Sequence, residues 1–82
     1  MSLIDFSISY MDGLSVSGKA TRLFVKDAAT IMTLGNHHAP LVSTLSDGVV
    51  VVHLDSGEKA EYAFHEGFLN CDHNRVSVTI LS

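Results

Sequence analysis

Apolar and polar residues alternate with a period of two along most of this chain, and that alternation predicts strands. Ile4, Phe6, Ile8 and Tyr10 are separated by Asp5, Ser7 and Ser9. Val76, Val78 and Ile80 are separated by Ser77 and Thr79. Tyr62 and Phe64 alternate with Glu61 and His65, and Ala63 breaks the polar outer face. Val49 to Val52 is a run of four valines, which predicts a strand covered on both faces. Turn signals divide these runs at Asp12-Gly13, Ser17-Gly18, Gly35-Asn36, Asp47-Gly48, Ser56-Gly57 and His73-Asn74. Leu54-Asp55-Ser56-Gly57-Glu58 predicts a hairpin turn with Gly57 at positive φ. Val25 to Met32 is the only helix-compatible stretch, and it lacks an apolar stripe. The pattern predicts an all-β fold, a small sandwich of about ten short, mostly antiparallel strands in two sheets.

Composition narrows the picture. With 82 residues, of which 46% are hydrophobic, the chain forms one domain over residues 1–82 with a real core. Charged residues are only 17%, which points to a surface partly covered by a partner. The net charge is −4 and there is no basic run, so nucleic acid is not the expected partner. A single cysteine, Cys71, excludes an internal disulfide and favours a reducing compartment. No apolar run approaches the ~20 residues of a membrane span. The N-terminus carries Asp5 and no basic flank, unlike a secretory signal.

Candidate chemistry centres on five histidines, His37, His38, His53, His65 and His73. Adjacent His37 and His38 point to opposite faces of an extended strand and do not readily share a metal. His53 and His65 could face each other across a hairpin, and one of the first pair would complete a two- or three-histidine site. That constellation defines the alternative function, a stand-alone β-barrel binding protein with a histidine-based metal or small-ligand site. A cupin-type enzyme would need further His and Glu ligands at longer spacing. Cys71 lies between Asn70 and Asp72, where an acidic neighbour raises a thiol's pKa, so it reads as buried and inert. Neither a Gly-x-Ser-x-Gly elbow nor a glycine-rich phosphate loop occurs. No catalytic residue, cofactor or metal ligand is assigned.

Several fragments fall in one order. Val16-Ser17-Gly18 follows the first strand. His38-Ala39-Pro40-Leu41 precedes Leu45 and Gly48. Gly67-Phe68-Leu69 follows a strand, and Val76-Ser77-Val78 closes the series. Together they resemble the N-terminal β-sandwich domain of the epsilon subunit of the rotary F-type ATP synthase, called delta in mitochondria, from Ile4 to Leu81. The sequence departs from the family pattern at three places. Asp27 to Thr33 lacks the family's glycines, Glu66 replaces one glycine of a pair, and His37 replaces the glycine before the motif histidine.

The resemblance implies a non-catalytic central-stalk (rotor) subunit that couples the gamma coiled coil to the membrane c-ring. ATP synthesis and proton or sodium transport belong to the whole complex. It implies a peripheral position on the cytoplasmic side of the inner (plasma) membrane, in a bacterium or similar cell. Membrane contact then comes only through the complex. Tyr10, His38, Ala39, Pro40 and Leu41 are the expected gamma contacts. Asp27, Thr30, Ile31, Met32 and Thr33 are the expected c-ring contacts. Interfaces need apolar or aromatic anchors, and Tyr10, Ile31, Met32 and Leu41 suit that role, although Tyr10 and Leu41 read equally well as core. Relatives continue into a C-terminal helical hairpin. This chain ends at Ser82 and is expected to act without one.

Overall fold

The computed structural model describes residues 3–35 and 38–82. They form six strands, β1 (Ile4–Tyr10), β2 (Ser15–Lys26), β3 (Ile31–Leu34), β4 (His38–Leu54), β5 (Lys59–His73) and β6 (Arg75–Ile80). All six share one hydrogen-bonded sheet in the order β1-β6-β5-β4-β2-β3, and an added β1–β2 pairing closes it into a barrel. Every pairing is antiparallel except β1 with β6. The all-β expectation is met. Six strands in one continuous ladder stand where about ten short strands in two sheets were expected.

The reason lies in β4 and β5, which contain 17 and 15 residues. The expected break at Asp47-Gly48 is not a chain reversal. Asp47 adopts φ 51° inside β4, a left-handed conformation that Asp tolerates better than most side chains. There the inward positions change parity. Leu45 faces the core before the kink, and Val50 and Val52 face it afterwards. The partner strand changes in step, from Phe64 to Leu69 and Cys71. Both strands therefore pass a corner without leaving the ladder. Gly48 makes that corner possible, since a Cβ at this position would collide with the Lys26 carbonyl oxygen and stand 2.7 Å from the Asp27 Cα. Only glycine lets the end of β2 lie this close.

Other expectations divide. The hairpin at 54–58 forms, with Gly57 at φ 92° and the Leu54 N–H donating to the Glu58 carbonyl at 2.8 Å. Ser17-Gly18 is not a turn, because both residues lie within β2 and Gly18 pairs with Phe6. Val25 to Met32 is the end of β2, a short loop and the start of β3, with no helix. Val49 to Val52 is not covered on both faces. Val50 and Val52 are buried, but Val49 and Val51 lie half-exposed on the outer side.

Ile4, Phe6 and Ile8 from β1 meet Val76, Val78 and Ile80 from β6, Leu69 and Cys71 from β5, and Leu23 and Val25 from β2. Every buried side chain among the described residues is apolar. Strand alternation thus converts the period-two pattern into a single core, and hydrophobic burial holds the barrel closed.

Candidate interaction surfaces

The loop between β2 and β3 is organised by one carboxylate. Asp27 Oδ1 accepts the N–H groups of Ala29 and Thr30, each at 2.9 Å. Its Oδ2 accepts the N–H of Ser46 at 3.2 Å. Ala28 N–H donates to the Ser46 carbonyl at 3.0 Å. The donated N–H groups of Ala29 and Ser46 stabilise the ionised carboxylate and hold its pKa below the usual value of 3.8. Asp27 is therefore a staple that ties the loop to the edge of β4. Thr30, Ile31 and Thr33 are exposed beside it and Met32 is half-buried, so the expected c-ring residues form one continuous stretch.

Before the corner, β4 pairs with β5, and among the described residues its pairing with β2 begins at Val49. The other edge is guarded. Pro40 has no N–H, Ser43 Oγ donates to the Thr44 carbonyl at 3.2 Å, and the Ser46 backbone is taken by Asp27 and Ala28. Such devices keep an edge strand from pairing with another chain. Ala39 and Pro40 are exposed here and Leu41 packs half-buried against the core. His37 lies outside the described residues, as does the side chain of His38.

The structure separates Tyr10 from the residues grouped with it. Tyr10 pairs with Ile80 at one end of β6, whereas Leu41 lies in the row of Cys71 and Val76 near the other. Four residues of strand separate these rows, about 13 Å along the barrel. Tyr10 falls at the corner end, where Met11, Ala63 and Leu81 line a shallow cavity of about 300 Å³ with it. That end also carries the Asp27 loop, through Ser46. Tyr10 is half-buried and packs on the core, so it belongs partly to both readings.

The histidine constellation is not assembled. His53 pairs with Lys59, while His65 lies beyond Phe64 at the other end of that hairpin and contacts Asp47 Oδ1 through Nδ1 at 3.1 Å. His53 packs edge-on against Phe24, with ring centroids 4.9 Å apart. Partial desolvation, with Arg22 and Lys59 nearby, lowers its pKa below 6.5. The two rings are thus held apart by the length of a strand. Among the described residues no group of three or more His, Cys, Asp or Glu could hold a metal. Cys71 is 1% exposed, and burial, with Asp72 adding to it, pushes its thiol pKa up.

One surface was missed in the sequence reading. The outer sides of β2, β4 and β5 carry Phe24, Val49 and Val51, half-exposed, and Ala63, exposed. The signal was present in the valine run and in Ala63 as the exception to a polar face. Elsewhere, Met11, Val42 and Ile31 are 71%, 75% and 69% exposed, high for side chains of this size.

The fold is thus a small closed all-β barrel with apolar side chains left on its outside. A family model described as the β-sandwich domain of the ATP synthase delta/epsilon chain matches residues 3–82, and the chain belongs to that family. An ATP synthase epsilon chain of Rhizobium rhizogenes is 33% identical over 64 residues, 78% of this chain and 47% of the relative. One from Allorhizobium ampelinum is 27% identical over 74 residues, 90% of this chain and 55% of the relative. The chain therefore spans about half the length of these curated relatives. The fold is shared with a chain of the Euglena gracilis mitochondrial ATP synthase (OSCP/F1/c-ring), with a TM-score of 0.88 at 17% identity over 100% of this chain and 52% of the other. A chain of the Tetrahymena thermophila mitochondrial ATP synthase central stalk and c-ring gives a TM-score of 0.76 at 8% identity, over 96% and 63%.

Proposed function

We propose that this domain is a non-catalytic central-stalk subunit of a rotary F-type ATP synthase, seated between the gamma subunit and the c-ring. The family match over residues 3–82 carries the reading. A rotor joint must pass torque without yielding, and a closed barrel with a wholly apolar core is a stiff body for that purpose. In this reading the chain works at the cytoplasmic face of a bacterial plasma membrane, and the long ladder folds over its corner into the two layers of a sandwich. Thr30, Ile31, Met32 and Thr33 meet the ring, and Asp27 sets their loop. His38, Ala39, Pro40 and Leu41 meet gamma. Tyr10 lies about 13 Å further along the barrel, so gamma reaches both only if it runs along the barrel, as a long coiled coil does.

The test is co-purification of the tagged chain with gamma and c subunits from the same organism. Both should be retained. Ile31→Glu should selectively lose the ring, and Ala39→Glu should selectively lose gamma, with unchanged unfolding midpoints. Failure to retain either subunit refutes the rotor assignment.

A further inference from the structure

The first half of β2 is an edge strand without the guards that protect β4. Its register on β1 pairs Ile8 with Val16 and Phe6 with Gly18. At the start of this ladder the Tyr10 N–H donates to the Leu14 carbonyl at 2.8 Å. Antiparallel hydrogen bonds alternate along a strand, so Val16 and Gly18 turn their backbone groups toward β1, and Ser15, Ser17 and Lys19 turn theirs away. Among the described residues no backbone bonds them on that side, because β4 joins β2 only from Ala20, where it pairs through Leu54. Ser15 to Lys19 holds no proline and no bulge. Lys19 carries the one charge that could deter a neighbouring strand, and it is paired with Asp5 at 2.6 Å. The inward row of this edge is also unfinished. Leu14 is 67% exposed and Val16 is 38% exposed. Gly18 leaves the flank of the Phe6 ring uncovered, since a Cβ there would meet that ring at 3.3 Å.

We propose that this edge pairs antiparallel with the same edge of a second copy of the chain, about a two-fold axis at Val16. The surface shares no residue with the gamma and c-ring contacts proposed above and does not depend on that reading. Hydrogen bonding and sterics together select the register. Only Ser15, Ser17 and Lys19 have backbone groups to offer, so these must meet one another across the axis. An axis at Ser17 would drive Leu14 of one copy into the place that Leu54 holds beside Ala20. An axis at Ser15 would need hydrogen bonds from the turn at Gly13, where φ is 95°. An axis at Val16 avoids both, because the chain turns before it reaches Leu54. Ser15 then faces Ser17 of the other copy on either side of the axis, which forms about four main-chain hydrogen bonds. The two Val16 side chains meet at a position without hydrogen bonds, with Cα atoms about 4.5 Å apart, where β-branched pairs pack well. Each Leu14 falls opposite the Gly18 of the other copy, in the gap beside Phe6. The edge is thus complementary to itself, since the exposed leucine of one copy fits the glycine of the other. The outward side chains brought together are serines, so no like charges oppose the contact. A seam this short makes a weak dimer.

Sedimentation equilibrium and amide hydrogen exchange on the whole chain test the proposal. The parent should be monomeric at about 10 μM and mostly dimeric at about 1 mM, and exchange at Ser15 and Ser17 should slow over that range. Ser17→Pro removes an N–H that bonds only the second copy, and should stay monomeric throughout. Val16→Cys gives a second readout that does not rely on the proline variant folding. Two cysteines facing each other across the axis are within disulfide reach, so an interchain disulfide should form about tenfold faster than in Ser9→Cys, which lies on the outer face of β1. Cys71 is 1% exposed and takes no part in either reaction. A parent that stays monomeric at about 1 mM overturns the proposal. So do equal crosslinking of the two cysteine variants, oligomers larger than a dimer, which mean that this edge meets a different one, or protection of Ser15 and Ser17 that appears only when a gamma subunit is added.

Discussion

Gly48→Ala is the sharpest perturbation the fold offers, because the added methyl would meet only backbone. It would collide with the Lys26 carbonyl oxygen, and stand 2.7 Å from the Asp27 Cα and 2.8 Å from the Lys26 carbonyl carbon. No rotamer relieves such contacts, so the end of β2 must move away from β4. That movement strains the Lys26–Val49 pairing and the Ala28–Ser46 hydrogen bond of 3.0 Å. Overpacking a tight site costs about 1–3 kcal/mol, and each hydrogen bond lost adds about 1 kcal/mol, so a loss of about 3 kcal/mol is expected. A domain of this size has about 4–12 kcal/mol in total. With a urea m value of about 1.5 kcal/mol/M, the unfolding midpoint should fall by about 2 M. Gly35→Ala is the control, since a Cβ there meets nothing within 4 Å and its effect should stay within about 0.5 kcal/mol. If Gly48→Ala unfolds within about 0.5 kcal/mol of the parent, the close-approach account of the corner is wrong.

Three further outcomes follow from the same structure. Asp27→Asn keeps an oxygen for Ala29 and Thr30 but presents an amide toward Ser46, so hydrogen exchange at Ser46 should accelerate while exchange at Ala29 changes little. Because the folded pKa of Asp27 is depressed, its contribution to stability is present above 3.8 and is lost as pH falls through the lower folded value. Asp27→Asn should flatten that acid limb in urea titrations at pH 2 to 5, and an unchanged limb would disprove the staple. His53 should titrate below 6.5 by NMR, and Arg22→Gln should raise its midpoint by removing a nearby cation. A midpoint at or above 6.5 in the parent would contradict the packing on Phe24. Cys71 should resist alkylation at pH 8 in the folded protein and react promptly in 6 M urea, because burial and a raised pKa both suppress the thiolate. Fast labelling of the native state would show the core is open at that point.

Much of the core was legible because strand geometry has a period of two and one face of each strand must leave water. Ile4, Phe6 and Ile8, and Val76, Val78 and Ile80, could be placed inward without knowing their neighbours. Turns at Gly57 and at His73-Asn74 were legible for a local reason, since each needs only its own backbone conformation. The failures were non-local. Asp47-Gly48 has the composition of a reversal, yet the chain continues, because β5 changes parity in step and the Lys26 carbonyl closes over Gly48. Val49 and Val51 read as buried, but among the described residues no layer covers them. Tyr10 and Leu41, grouped by motif order, lie about 13 Å apart along the barrel, a distance that motif order alone does not give.

By itself the sequence determined an all-β domain with an apolar core and a family whose motifs occur in order. Those properties follow from alternation, composition and spacing, which are local along the chain. The closure of the sheet through β1 and β2, the staple from Asp27 to Ser46, and the apolar outer face around Phe24 and Val51 were decided only by tertiary structure. Each depends on a register between strands distant in sequence. A shift of one residue in that register would turn every side chain to the opposite face.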